Sequence, residues 1–138
     1  MMEITSRVIP LPFASITNKR SLIYVGNLVD ALATCAVHPE ATGKTYLVSD
    51  GDDVSTPELI RRTAKAIGAP SRLFPLPLTL MRLAGKLTGK CGAVNRLTGS
   101  LTVDSSKIQR ELGWKPSFTM DEGLRETARW FKKLYRQG

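Results

Sequence analysis

The chain has 138 residues, of which 42% are hydrophobic and 23% charged, a composition typical of one globular domain and unlike a fully disordered chain. Its two cysteines, Cys35 and Cys91, are too far apart in sequence to suggest a disulfide framework, so we expect reduced thiols in a cytoplasmic protein. No apolar run is long enough to span a membrane, and the first residues do not resemble a signal peptide.

The net charge of +8 favours anionic partners, such as nucleic acid, acidic lipid or phosphorylated small molecules. Two plainer explanations stay open. The lysines and arginines would solvate helix surfaces, or a partner domain would carry the balancing acidic residues.

In the first third of the chain, residues 8–13 contain two prolines and are predicted to form an edge strand or an extended loop. Residues 21–25 are rich in β-forming residues and predict a strand. Asn27 is the predicted N-cap of a helix that runs to about Val37, and residues 44–49 predict a second strand. The apolar residues that share one face of this helix are Leu28, Ala31, Leu32, Cys35 and Ala36.

A turn at residues 50–53 is followed by a strong helix-start signal at residues 55–58, and this helix is predicted to end at Gly68. Residues 70–77 form a proline-punctuated connector. Residues 78–87 predict an apolar helix. Its residues in register are Leu80, Leu83, Ala84 and Leu87.

Glycines at 89–92 interrupt that helix, and a short helix is possible at residues 93–97. Residues 100–103 alternate polar and apolar side chains and predict a half-buried strand. A helix capped by Asp104 or Ser105 is predicted to end at Gly113, and a capping box at residues 119–122 begins the last helix. The apolar residues on one side of this last helix are Leu124, Ala128, Phe131 and Leu134. The fold class predicted is mixed α/β, a helix-rich single domain over residues 1–138 with a few short strands, of which we expect residues 1–9 to be the least ordered.

The sequence lacks most of the motifs that carry chemistry. It has no glycine-rich turn between a strand and a helix, no Walker A motif, and no tyrosine followed four residues later by lysine. The lone His38 is predicted to be a helix-end residue, and the carboxylates of residues 50–53 to belong to a solvated turn. We therefore assign no catalytic, cofactor-binding or metal-binding residue to this chain.

Three stretches together resemble one family. The first is Pro-Leu-Pro-Phe at residues 10–13, followed by Asn-Lys-Arg-Ser-Leu-Ile-Tyr-Val-Gly-Asn-Leu-Val-Asp-Ala at residues 18–31. The second is Thr-Tyr-Leu-Val-Ser-Asp-Gly at 45–51 with Ser-Thr-Pro-Glu-Leu at 55–59. The third is Asp-Ser-Ser-Lys at 104–107, Glu-Leu-Gly-Trp-Lys-Pro at 111–116 and Asp-Glu-Gly-Leu at 121–124. In order and spacing they resemble the C-terminal, substrate-binding part of NAD-dependent epimerase/dehydratases, the extended short-chain dehydrogenases.

The amino-acid sequence of the first stretch is similar to that of bacterial UDP-N-acetylhexosamine 4-epimerases and 4-keto-sugar reductases of surface-polysaccharide biosynthesis. The resemblance implies the C-terminal half of their fold without a complete Rossmann sheet. It also implies a UDP-sugar ligand, and NAD(P) together with the catalytic residues in a half of the protein that this sequence does not contain. By itself the chain is then expected to be inactive, and its uncovered face to pack on a Rossmann half or to self-associate.

The resemblance also suggests residue roles. The segment with Leu11 and Phe13 matches the one that lines the uracil, Arg20 matches the arginine that binds the diphosphate, and Arg96 is a candidate second phosphate contact. Asn18 and Lys19 are possible helpers, whereas Lys107 and Trp114 are interpreted as structural. The alternatives are an ordinary extended segment at 11–13 and a surface arginine at 20.

The rival function, judged unlikely, is a small basic nucleic-acid-binding protein, supported by the charge and by Arg61, Arg62 and Lys65 but by no aromatic-rich groove. A membrane-surface helix at residues 76–90 is less favoured than a core helix.

Overall fold

The computed structural model describes residues 11–87, 89 and 91–136 of the chain. The expected disorder of residues 1–9 and the beginning of the proline segment at 8–10 lie outside the described residues. The helices are α1 Val25–Val37, α2 Thr56–Ile67, α3 Leu78–Leu87, α4 Cys91–Thr98, α5 Ser106–Leu112 and α6 Met120–Arg136, with a 3-10 turn at Pro39–Ala41.

Helices α2 and α6 begin as the sequence predicts. The Ser55 hydroxyl accepts a hydrogen bond from the Glu58 backbone N–H at 3.3 Å, and Gly68 ends α2 with a φ of 79°. At the start of α6, the Thr119 hydroxyl accepts from the Glu122 N–H at 3.3 Å, and the Glu122 carboxylate accepts from the Thr119 N–H at 2.8 Å. These reciprocal bonds form the capping box, and they lower the pKa of Glu122.

The predicted strands at 21–25, 44–49 and 100–103 are wrong. Within the described residues the β pairing consists of three isolated bridges, Leu11 with Leu73, Arg20 with Val54 and Arg20 with Leu101. At each bridge the two segments pair at a single position and then diverge, so no ladder of consecutive backbone hydrogen bonds forms. Residues 46–48 nevertheless alternate between the core and solvent, since Tyr46 and Val48 pack on the core whereas Leu47 is 59% exposed.

The predicted start of α1 is also wrong. The helix begins at Val25, and Tyr24 is its N-cap residue without a side-chain capping bond. Asn27 instead lies fully buried in the first turn, where its amide donates to Asp50 Oδ1 at 2.7 Å and to the Phe118 carbonyl at 2.8 Å. Asn27 resembles a cap in sequence because caps and buried anchors use the same side-chain hydrogen bonds.

The main core lies between α1, the 3-10 turn and α5. Its buried members are Ala31, Ala41, Ile108, Leu112 and Trp114. The Trp114 indole donates to Asp30 Oδ2 at 2.9 Å, which satisfies the polar edge of a ring that is only 4% exposed. A second layer forms where α2 packs along α6.

Several apolar residues on the predicted apolar helix faces are exposed. In α1, Leu32 is 61% exposed and Ala36 is exposed; in α3, Leu80, Leu83 and Leu87 are 50%, 54% and 81% exposed; and in α6, Leu134 is 51% exposed. Helical periodicity identifies the apolar side of a helix, but burial requires another element to cover it, and none of the described residues does. Among the described helices, none is long and apolar enough to cross a membrane.

Candidate functional site

Asn18 joins three parts of the chain around the segment that carries the predicted phosphate-binding arginine. Its side-chain amide donates to the carbonyls of Leu97, at 3.2 Å, and Gly99, at 2.9 Å, and its Oδ1 accepts from the Thr56 N–H at 2.9 Å. Asn18 is 5% exposed, so these bonds form away from water. It therefore fixes the end of α4 and the start of α2 against residues 18–21.

Arg20 lies in the middle of this junction. Its backbone exchanges hydrogen bonds with Val54, at 2.9 and 3.0 Å, and the flanking residues Lys19 and Ser21 bond to Leu101, each at 2.9 Å. The side chain is partly exposed, and within the described part of the chain the guanidinium has neither an ion-pair partner nor a hydrogen-bond acceptor. A fixed backbone with an uncommitted guanidinium is suited to binding an anion.

Arg96 lies in the last turn of α4, next to Leu97, whose carbonyl accepts the bond from Asn18. Its side chain is exposed and, among the residues described, also has no carboxylate partner. The backbones that carry Arg20 and Arg96 thus belong to one hydrogen-bonded unit.

The segment that contains Leu11 and Phe13 pairs with residues 72–74, a different part of the chain. The Leu11 N–H donates to the Arg72 carbonyl at 2.9 Å, and the Phe74 N–H donates to the Leu11 carbonyl at 3.1 Å. Both predicted side chains are partly exposed, and the Phe13 carbonyl accepts from the Ile16 N–H at 3.2 Å in the turn that leads to Asn18. The assignment of Leu11, Phe13, Arg20 and Arg96 to one ligand stays a prediction.

The described residues form four surface grooves, and none of Leu11, Phe13, Arg20 and Arg96 lines them. The two that share Tyr24, Val25 and Thr127 have volumes of about 290 and 390 Å³ and lie between the start of α1 and α6. A third, of about 340 Å³, lies on the other side of α1 and is lined by Leu32, Cys35 and Tyr46 among others. These grooves are mainly apolar, which is typical of surfaces that another element covers.

The fourth groove, of about 190 Å³, lies between α2 and α6 and is lined by Arg62, Lys65 and Arg125 with Asp121. Arg62 and Lys65 belong, with Arg61, to the basic cluster that supports a nucleic-acid partner. Arg62, however, already pairs with Asp52, Glu58 and Asp121, and its pKa is raised chiefly because Glu58 accepts its hydrogen bond. The acidic neighbours offset much of the local charge that a phosphate backbone would need.

The carboxylates of residues 50–53 lie in a bend that is partly exposed to solvent, in keeping with the predicted solvated turn, and each bonds to a different part of the chain. Asp50 accepts from the Tyr24 N–H and from Asn27, Asp52 pairs with Arg62, and Asp53 accepts from the Ser21 hydroxyl. In the part of the chain that the structure describes, no three His, Cys, Asp or Glu side chains form a group able to hold a metal ion.

His38 ends α1, and its Nδ1 accepts a hydrogen bond from the Glu40 N–H at 3.3 Å. Lys107 donates to the Thr45 carbonyl at 3.0 Å and lies 5.1 Å from the centre of the Tyr46 ring. These contacts fix local structure, as the sequence predicts for Lys107. The described glycines with positive φ end helices or turns singly and do not form the G-x-G-x-x-G turn of a dinucleotide site.

Sequence reasoning missed the exposed apolar side of α1. A signal was available, because residues 21–43 contain none of the 20 lysines and arginines of the chain. Depletion of charge on this scale in a basic protein is typical of a surface that becomes buried.

Comparison with known proteins shows that the chain has the helix-rich part of the fold of nucleotide-sugar epimerases and dehydratases. Two solved structures share this fold: dTDP-glucose 4,6-dehydratase from Bacillus anthracis in complex with NAD, with a TM-score of 0.64 at 15% identity, and UDP-glucose 4-epimerase from Thermotoga maritima with UDP-glucose, with a TM-score of 0.62 at 20% identity. The similarity covers 96% and 97% of this chain but 37% and 38% of theirs.

In sequence the chain is similar to UDP-glucose 4-epimerase from Vibrio cholerae, with 50% identity over 132 residues. The match covers 95% of this chain and 40% of the relative, so the chain spans about two fifths of that relative's length. No family model matches the chain. The predicted fold class, a helix-rich part of an extended short-chain dehydrogenase, is confirmed.

Proposed function

We propose that this chain is the portion of a nucleotide-sugar epimerase that binds the UDP moiety of a UDP-hexose. The observation that carries the proposal is the 50% identity with a UDP-glucose 4-epimerase over almost the whole chain. A shared fold does not define a function, so the residue-level argument depends on the junction around Arg20.

Arg20 is proposed to bind the diphosphate. The pairing of residues 19–21 with Val54 and Leu101 fixes its backbone, and its guanidinium is uncommitted among the described side chains. A guanidinium presents two parallel N–H groups to phosphate oxygens, which gives stronger and more directional binding than an ammonium group. Arg96, held in the same unit by the contact between Asn18 and Leu97, would add a second cation.

The segment with Leu11 and Phe13 is proposed to line the uracil. Its pairing with residues 72–74 through backbone hydrogen bonds fixes the segment without using all its polar groups. Backbone N–H and C=O groups can bond a uracil edge, and the Phe13 ring, which is partly exposed, can pack on the base.

We assign NAD binding and the redox step at C4 of the sugar to the portion of the enzyme outside this chain, because the described glycines do not form a dinucleotide-binding turn. The proposal for the isolated chain is therefore binding without turnover. Since residues 10–31 resemble enzymes of UDP-N-acetylhexosamines, we propose that the sugar subsite accepts an N-acetylhexosamine as well as glucose, as in surface-polysaccharide biosynthesis.

Isothermal titration calorimetry with UDP-glucose, UDP-N-acetylglucosamine and a short DNA duplex tests this proposal. We expect the chain to bind both UDP-sugars more tightly than the duplex. Loss of a charge-assisted contact worth about 1.5–3 kcal/mol predicts that Arg20→Ala weakens UDP-glucose binding about ten- to hundredfold. Arg20→Lys should recover only part of this loss, because an ammonium group cannot form the bidentate contact.

The matched control is Arg110→Ala, which removes the same charge from the exposed end of α5. It should leave UDP-glucose binding within about twofold, because an exposed charge at a distance is screened by salt. Equal losses in the two variants would mean that net charge, and not Arg20, attracts the ligand. Duplex binding with a steep salt dependence and no UDP-glucose binding would replace this proposal with the nucleic-acid function.

A further inference from the structure

Helix α3 presents a stripe of leucines to solvent. Leu80, Leu83 and Leu87 are 50%, 54% and 81% exposed, and their spacing of three and four residues places them on one side of the helix. Met81, which is 6% exposed, lies on a different side of α3 and is buried. The helix therefore contributes one side to the protein interior and leaves the leucine side uncovered by the described residues. We call Leu80, Leu83 and Leu87 the α3 stripe.

A polar flank borders the α3 stripe. At 3.6 residues per turn, Thr79 and Lys86 lie next to the stripe on the side away from Met81, and both are exposed. Within the described part of the chain, the Lys86 ammonium group has no carboxylate partner. A lysine in this position can extend its methylene stem along an apolar surface while its charge stays in a polar boundary layer.

The net charge of the protein is concentrated in the part of the chain that contains α3. Residues 59–103 include eight lysines and arginines and neither aspartate nor glutamate, whereas the rest of the chain has 12 basic and 12 acidic residues. The whole charge of +8 therefore belongs to this segment. Besides Lys86, its exposed members include Arg61, Lys65 and Arg72.

We propose that the α3 stripe binds the surface of a lipid bilayer that contains anionic lipids. An exposed apolar stripe flanked by basic residues is the pattern of a helix that lies in the plane of the membrane interface, with its leucines among the acyl chains. Anionic headgroups attract lysines and arginines near the surface, and acidic residues, which they would repel, are absent from the segment. With ten residues, α3 is about 15 Å long, so it can lie on a bilayer but cannot cross it.

Other occupants explain these observations less completely. A second copy of the chain would bring two segments of like charge together, which opposes association. A nucleic acid would attract the charges, but contacts with a phosphate backbone do not use exposed leucines. A bilayer with anionic lipids accounts for both the stripe and the charge.

Vesicle co-sedimentation of the full chain tests the proposal. One set of vesicles is phosphatidylcholine alone, and the other includes about a third phosphatidylglycerol; we expect binding to be about tenfold tighter to the second set and to weaken as salt is added. The double variant Leu83→Ser with Leu87→Ser should lose about tenfold of this binding, because two apolar side chains no longer enter the interface. The matched control is Val37→Ser with Leu47→Ser, which removes apolar side chains that are 83% and 59% exposed and should change binding less than about twofold.

A second pair of variants tests the charge. Lys86→Glu should weaken binding to the anionic vesicles about fivefold or more, because it reverses a charge at the edge of the stripe. Lys115→Glu makes the same change at an exposed position outside residues 59–103 and should stay within about twofold.

Four results would overturn the proposal. The first is the absence of vesicle binding, and the second is equal binding to the two vesicle sets. The third is an equal loss in the leucine pair and its control. The fourth is a dimer in sedimentation velocity, or binding of a DNA duplex, that the leucine pair abolishes, since either would assign the stripe to a second copy or to nucleic acid.

Discussion

Replacing Asn18 by alanine should cost a large part of the stability of the junction that carries Arg20. The substitution removes two bonds to the carbonyls of Leu97 and Gly99 and leaves the Thr56 N–H without its acceptor. Each ordinary hydrogen bond contributes about 1 kcal/mol, and a buried unpaired donor costs about 1–3 kcal/mol. We therefore expect Asn18→Ala to lower the free energy of unfolding by about 3–5 kcal/mol.

Urea unfolding followed by tryptophan fluorescence measures this change, since Trp114 is 4% exposed in the folded chain. Asn18→Asp keeps the acceptor for Thr56 but places a negative charge against two carbonyl oxygens, so at neutral pH it should destabilise at least as much as Asn18→Ala. Asn95→Ala, at an exposed position on α4, is the control and should change stability by less than about 0.5 kcal/mol. An Asn18→Ala variant as stable as the control would refute the reasoning.

Two further predictions concern the support of α1 and the surface of α5. A Cβ at Gly123 would lie 2.8 Å from two atoms of Tyr24, so Gly123→Ala should lower the free energy of unfolding by about 1–3 kcal/mol. The control Gly92→Ala, in open space on a helix, should be neutral or stabilising. Chemical denaturation of both variants distinguishes a steric clash from a general effect of the substitution. The pKa of Glu111 is lowered chiefly because its carboxylate accepts a hydrogen bond from the Tyr46 hydroxyl. The ionised Glu111 therefore stabilises the fold above the ordinary glutamate pKa of about 4.3, and this stabilisation is lost as pH falls through the lowered pKa. The Tm of wild type should therefore exceed that of Glu111→Gln near pH 7 and converge with it in acid; a constant difference across a circular-dichroism pH series would contradict this.

The sequence was most informative where structure is local. The caps at Ser55 and Thr119 and the glycine that ends α2 involve side chains within three or four residues of each other, so the pattern alone predicts the bonds. The Asn27 side chain shows the limit of this reasoning. Its partners are 23 and 91 residues away, at Asp50 and Phe118, and no local pattern contains them.

Strand prediction failed for a related reason. Residues 21–25 have the composition of a strand, but a strand needs consecutive hydrogen bonds to one neighbouring segment. Here the Ser21 N–H bonds to Leu101 and the Leu22 carbonyl to Asp50, so the segment changes partner from one residue to the next. In the same way, the apolar stripe of Leu32 and its neighbours is visible in sequence, but periodicity does not say whether another element covers the stripe, and none of the described residues does.

For the candidate site, the sequence predicted Arg20 and Arg96 through resemblance alone. The structure adds that their backbones are fixed in one hydrogen-bonded unit by Asn18, whose side chain the sequence suggested only as a possible ligand contact. Because their backbones belong to one unit, the proposal that Arg20 and Arg96 bind the same diphosphate can be tested by substitution.

The central claim, that Arg20 and the segment at 11–13 hold one UDP molecule, is tested most directly by NMR of the ¹⁵N-labelled chain. Inorganic diphosphate should shift the Arg20 Nε–H resonance, uridine should shift the backbone amides of Leu11 and Phe13, and UDP-glucose should shift both sets at one common affinity. Shifts confined to the basic groove of Lys65 and Arg125, or two sets that saturate at different concentrations, would contradict the account.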